Sequence, residues 1–153
     1  MRIDRIIKNL EELRSFAGDL AKKLKPGRVV ALSGPLGSGK TTLVRELAAI
    51  LGVPDSEVHS PSFTLVNVYT ARHGVLYHVD LYRAKTEADI RSIDLEEMLY
   101  DPAAITFIEW PEQVLGRLPK DALWVNLDFC PKHGPDSRKL LLSPVAAGKG
   151  GPR

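Results

Sequence analysis

One cysteine, Cys130, stands among the 153 residues. A disulfide within the chain is therefore excluded, a reducing compartment suits it, and the expected role of Cys130 is a packed strand thiol. The four histidines fall in no zinc-type spacing, so a structural zinc site is not expected. Charge of one sign is scarce too. With 21 Lys and Arg against 19 Asp and Glu the formal net charge is +2, so bulk electrostatics demand neither nucleic acid nor a membrane as direct partner. No apolar run approaches membrane-spanning length. The opening Met1-Arg2-Ile3-Asp4-Arg5 lacks the apolar centre of a secretory signal, so a cytoplasmic location without membrane contact is expected. What remains is a hydrophobic fraction of 44% and a charged fraction of 26%, the balance of an ordinary globular domain.

The chain does contain Gly34-Pro35-Leu36-Gly37-Ser38-Gly39-Lys40-Thr41, a full match to G-x-x-x-x-G-K-[ST]. Arg28 to Ser33 reads as a short buried strand leading in, and Thr42 to Leu51 as the helix leading out, stopped by Gly52 and Pro54. In such a loop the glycines let backbone N–H groups turn inward around phosphate oxygens. Gly34, Gly37, Ser38, Gly39, Lys40, Thr41 and Thr42 are the expected phosphate contacts. Lys40 reaches the β- and γ-phosphates, the Thr41 hydroxyl ligates Mg²⁺, and the helix N-terminus adds partial positive charge. A nucleoside triphosphate is the expected ligand. No N/T-K-x-D guanine-reading motif follows, which favours ATP.

A loop of this kind needs a carboxylate near the metal, at the end of an apolar strand. Glu109, after Ile105-Thr106-Phe107-Ile108 and before Trp110-Pro111, is one candidate. It would hold the metal, polarise the attacking water, or do both; Trp110 either packs beneath the site or flanks the nucleotide. Asp80 is the second. Period two puts Val75, Tyr77, Val79 and Leu81 on one strand face and His78, Asp80 and Tyr82 on the other. That polar face is either a built site or an outer face in solvent. His78 reads as a hydrogen-bonding partner rather than a metal ligand. A third candidate is Ser60-Pro61-Ser62-Phe63-Thr64, whose hydroxyls around a rigid proline suit a loop that senses the γ-phosphate.

Other elements follow from periodicity. Residues 2–7 suit a short strand; Leu10, Leu13, Ala17, Leu20 and Leu24 define one apolar helix face. Phe63 to Tyr69 and Val75 to Leu81 suggest a hairpin around Arg72-His73-Gly74. Thr86 caps a short helix, Asp94 to Leu99 forms another turn, and Ala104 to Ile108 suits a central parallel strand. Ala122 to Phe129 and Arg138 to Leu142 are the last strands. The expectation is one α/β domain over residues 1–144, a mixed, mostly parallel sheet flanked by helices, with a disordered, basic, glycine-rich tail at 145–153.

Together and in this order, the 34–42 loop, Ser60-Pro61-Ser62-Phe63-Thr64, His78-Val79-Asp80-Leu81-Tyr82-Arg83 and Ile108-Glu109-Trp110-Pro111 resemble the bacterial TsaE (YjeE) ATPases. These act in threonylcarbamoyladenosine modification of tRNA. The resemblance spans residues 1–130. It implies a small Mg²⁺-dependent ATPase that docks on the TsaD–TsaB heterodimer and meets tRNA only through that complex. It also implies that Asp80 and Glu109 share the metal and the attacking water, and that Ser60 and Thr64 sit in a mobile loop. The base would lie near Leu10 and Glu11. A small-molecule kinase acting on a nucleoside or nucleotide, and a nucleotide-gated binding module with negligible hydrolysis, are the competing expectations.

Overall fold

A computed structural model describes residues 2–61 and 63–145. The tail expected at 146–153, and Ser62 of the hydroxyl-rich loop, lie outside the described residues. Val145 is buried, with its N–H bonded to the Ala122 carbonyl, so this first residue of the expected tail packs with the fold.

Seven strands form one sheet: β1 (Ile3–Ile7), β2 (Val29–Ser33), β3 (Val66–Ala71), β4 (Gly74–Asp80), β5 (Ala104–Glu109), β6 (Leu123–Phe129) and β7 (Arg138–Pro144). Their order is β1-β7-β6-β2-β5-β4-β3. The four central strands β6, β2, β5 and β4 run parallel to one another. β7 and β1 close one side antiparallel, and β3 closes the other as a hairpin with β4. The sheet is thus mixed, with an antiparallel flank on each side of the parallel centre.

Period-two alternation splits the core into two layers. Val30 and Leu32 of β2, Leu76 of β4 and Phe107 of β5 pack beneath helices α1 (Leu10–Ala21) and α2 (Lys40–Ile50). Val29 and Ala31, Val79 and Leu81, and Ile108 face the opposite layer, formed by α3 (Glu87–Arg91), α4 (Leu95–Leu99) and a 3₁₀ segment at Pro111–Arg117. All five residues of β2 are buried, as expected for a strand covered on both faces. Each large aliphatic side chain removed from water here stabilises the fold by about 1.5–3 kcal/mol.

Several boundaries differ from expectation for identifiable reasons. The strand expected from Phe63 begins only at Val66, because the Leu65 N–H bonds the Pro61 carbonyl and Leu65 takes a left-handed φ of 66°. In α1 the buried face is Leu13, Phe16, Ala17 and Leu20. Leu10, which opens the first turn of the helix, is 44% exposed and borders an open groove instead. Asn9 caps that turn, its side chain accepting from the Glu12 N–H at 2.9 Å. Cys130 lies just past β6 and is only half-buried, not packed within the strand.

Candidate functional site

The parallel strands β2, β4 and β5 end at one place, and the residues singled out by sequence meet there. β2 runs straight into the glycine-rich loop and α2. Gly34 has φ 134°, and a Cβ built on it would lie 2.0 Å from the Leu127 carbonyl oxygen, so only glycine fits. Gly39, φ 108°, turns the chain into α2 at Lys40. Arg138, at the start of β7, donates from Nε to the Ser38 carbonyl at 3.0 Å and from Nη2 to the Gly37 carbonyl at 3.4 Å. It also lies over the Phe129 ring. This fastening of the loop carries no sequence signal, because an arginine after a turn has no spacing to mark it.

Lys40 is 4% exposed. Its ammonium donates to the carbonyls of Gly34 (2.6 Å) and Pro35 (3.0 Å) and lies 4.2 Å from the centre of the Trp110 ring. Trp110 has φ 58° and tilts against Tyr82 at 5.1 Å. The indole thus packs beside the site and contacts the lysine at once. Burial pulls the Lys40 pKa below its usual range, partly offset by Glu109, Asp80 and Glu112.

Asp80 and Glu109 are register partners at the C-terminal ends of β4 and β5. They are 6% and 3% exposed, so the polar face of β4 is no outer face in solvent; it lies under the loop and α2. The Asp80 Oδ1 accepts the Tyr82 N–H at 2.9 Å. Burial pushes the Asp80 pKa up and Glu109 adds to the rise, while the Tyr82 bond, His78 and Lys40 oppose it. The Thr41 hydroxyl donates to the Glu109 carboxylate, 2.9 Å from Oε2 and 3.1 Å from Oε1. His78 Nε2 lies 2.6 Å from Glu109 Oε2. Among the described residues Lys40 makes no ion pair with either carboxylate.

A cleft of about 420 Å³ opens over these groups, lined by Gly37, Lys40, Thr41, Asp80, Glu109 and Trp110 among others. Ser60 lines it and Thr64 does not; the Thr64 hydroxyl turns back to the Val66 carbonyl. A groove of about 350 Å³ on the other side of the loop is lined by Leu10, Leu13, Ser38, Thr42 and Arg138. Leu10 therefore borders the loop, whereas Glu11 is exposed outside the groove lining. Among the described residues no three His, Cys, Asp or Glu side chains form a set that holds an ion unaided. One hydroxyl and two carboxylates are hard oxygen donors. They fit a cation such as Mg²⁺, which takes one or two carboxylates and completes its shell with phosphate and water.

A family model described as threonylcarbamoyl adenosine biosynthesis protein TsaE matches residues 7–139. The chain belongs to the TsaE family. The TsaE protein of Rickettsia bellii is 38% identical over 122 residues, covering 80% of this chain and 83% of that one. The TsaE protein of Bacillus subtilis is 32% identical over 137 residues, 90% and 82% of the two chains. The crystal structure of Bacillus subtilis YdiB superposes with a TM-score of 0.73 at 26% identity, over 95% of this chain and 87% of that one. The TsaE match begins at the end of β1 and runs into β7, so it takes in the loop, both carboxylates and Trp110. No helix among the described residues is long and apolar enough to cross a membrane.

Proposed function

We propose that this TsaE-family chain is a Mg²⁺-dependent ATPase that docks on the TsaD–TsaB heterodimer and supports turnover in threonylcarbamoyladenosine modification of tRNA. The observation that carries the reading is the convergence of Thr41, Asp80 and Glu109 beside Lys40 at the mouth of a glycine loop. Backbone N–H groups of residues 37–42 and the Lys40 ammonium bind the phosphates. Two of the three Lys40 donors hold the loop, leaving the third for a phosphate oxygen. Thr41 and Glu109 hold the cation directly, with Asp80 beside them, and when bound that cation offsets charge on the β- and γ-phosphates. The carboxylates orient the attacking water, and burial under Trp110 and Tyr82 strengthens each of these contacts. The base lies along the groove bordered by Leu10.

ATP hydrolysis measured with and without the cognate TsaD–TsaB pair tests this, with Lys40→Ala as the blank. Stimulation by the pair is expected. Asp80→Ala and Glu109→Ala should lower turnover at least about 100-fold while sparing ATP binding more. Wild-type rates in both carboxylate variants would overturn the site, and tight ATP binding without stimulation would overturn the partner.

A further inference from the structure

The Glu109 carboxylate is held from two sides. Thr41 donates to it from the first turn of α2, and His78 meets Oε2 at 2.6 Å from the neighbouring strand. A carboxylate only accepts, so the His78 Nε2 carries the hydrogen. The ring is wholly buried, at 0% exposure, and its Nδ1 has no partner among the described residues. A buried nitrogen without a partner costs free energy. The ring is therefore not one link in a longer polar network: Glu109 is its one hydrogen-bond partner among the described residues. Strand register explains the reach. His78 lies opposite Phe107 and Asp80 opposite Glu109, so the imidazole leans diagonally along the face to the carboxylate one pleat further on.

The alternative partner for Glu109 is close. Its charge acts on Lys40 through space, yet the lysine bonds loop carbonyls and the Trp110 face instead. Without the His78 bond the Thr41 hydroxyl alone would hold the carboxylate, and the Lys40 ammonium, which lines the same cleft, would compete for it.

We infer that His78 is a positioning residue: its Nε2–H holds the Glu109 carboxylate against Thr41 and away from Lys40, so that Thr41 and Glu109 address one divalent cation. The inference rests on the magnesium-nucleotide reading above. Partners of this kind to metal-holding carboxylates change metal affinity by about 10- to 100-fold when removed.

The test is calorimetric ATP binding to the whole chain, in EDTA and across a Mg²⁺ titration, for wild type, His78→Leu and His78→Gln. The leucine variant fills the space without a donor, whereas glutamine restores an N–H. His78→Leu is expected to need about 10- to 100-fold more Mg²⁺ at the midpoint, with metal-free ATP affinity within about twofold of wild type. His78→Gln should recover most of the loss. An unchanged midpoint in His78→Leu, an equal loss with and without Mg²⁺, or a glutamine variant as poor as leucine overturns the inference. If the leucine variant does not fold, ring ¹⁵N spectra of the wild-type protein decide: hydrogen on Nε2 supports the inference and hydrogen on Nδ1 overturns it. A wild-type titration with no Mg²⁺ dependence overturns the magnesium reading and this inference together, which separates the two failures.

Discussion

Asp80 and Lys40 both carry charge out of water, and the direction of each pKa change sets its effect on stability. Burial raises the Asp80 carboxyl above its ordinary 3.8. Between that value and the raised one the folded chain keeps a proton that the unfolded chain has released. Stability from this group therefore falls as pH rises through the window, and the cost is complete above the raised value. Lys40, lowered by burial from 10.5, loses its proton in the folded state first. Stability therefore rises as pH climbs from the lowered value toward 10.5, and at neutral pH the buried ammonium costs stability too. Asp80→Asn keeps an oxygen for the Tyr82 N–H and removes the charge. We expect it to gain about 1 kcal/mol at pH 7, a rise of about 2–4 °C in melting temperature, while ATP turnover is lost. The gain should shrink as pH falls from the raised value toward 3.8 and be absent below it, and melting curves across pH check both the sign and the window. Lys40, Thr41, Asp80 and Glu109 were all legible in the sequence, because each is fixed by a local pattern of loop, strand end or helix start. The bond from His78 to Glu109 was not, since it depends on the parallel register of β4 on β5, which no spacing along the chain records.

At the level of elements, α1 binds the groove to the fold. Its buried side, Leu13, Phe16, Ala17 and Leu20, packs on the sheet, while its first turn leaves Leu10 bordering the loop. Helical periodicity alone put Leu10 among the core residues; that it borders an open groove instead is a tertiary fact. The turn is held by Asn9, with the Glu12 carboxylate returning to the Lys8 N–H at 2.7 Å. Asn9→Ala should cost about 1 kcal/mol in urea denaturation. It should also weaken nucleotide binding more than it changes hydrolysis per bound nucleotide, because the groove wall is what moves. The hairpin shows the opposite limit of sequence reading. Val66 to Tyr69 and Val75 to Asp80 were recognisable by alternation, but the left-handed Leu65 that cuts the first strand short has a residue type that gives no warning of it.

Across the whole molecule, the parallel centre gathers Lys40, Thr41, Asp80 and Glu109 at one end of the sheet, where ligands of open α/β sheets bind. The opposite end holds a small cavity of about 100 Å³, lined by Leu51, Ala71, Val75 and Ile105 among others and by no carboxylate or hydroxyl. The two sheet edges differ. β1 carries Asp4 and Arg5, which discourage edge-to-edge pairing, but β3 is Val66-Asn67-Val68-Tyr69-Thr70-Ala71, without a charge or a proline. Such an edge is a template for another strand. Val68 is 61% exposed, and Val68→Lys should reduce light scattering after heating while leaving the unfolding free energy within about 0.5 kcal/mol. Equal scattering would place the weak point elsewhere. The other edge bears on how the chain is made. Among the described residues β1 has β7 as its one strand neighbour, with Ile3 set opposite Leu142. On the ribosome β1 must therefore wait until β7 has emerged before it meets that neighbour. The helix that brings Leu10 to the groove follows that first strand directly, and Arg138 of β7 lines the same groove, so its wall is completed only once β7 has been made.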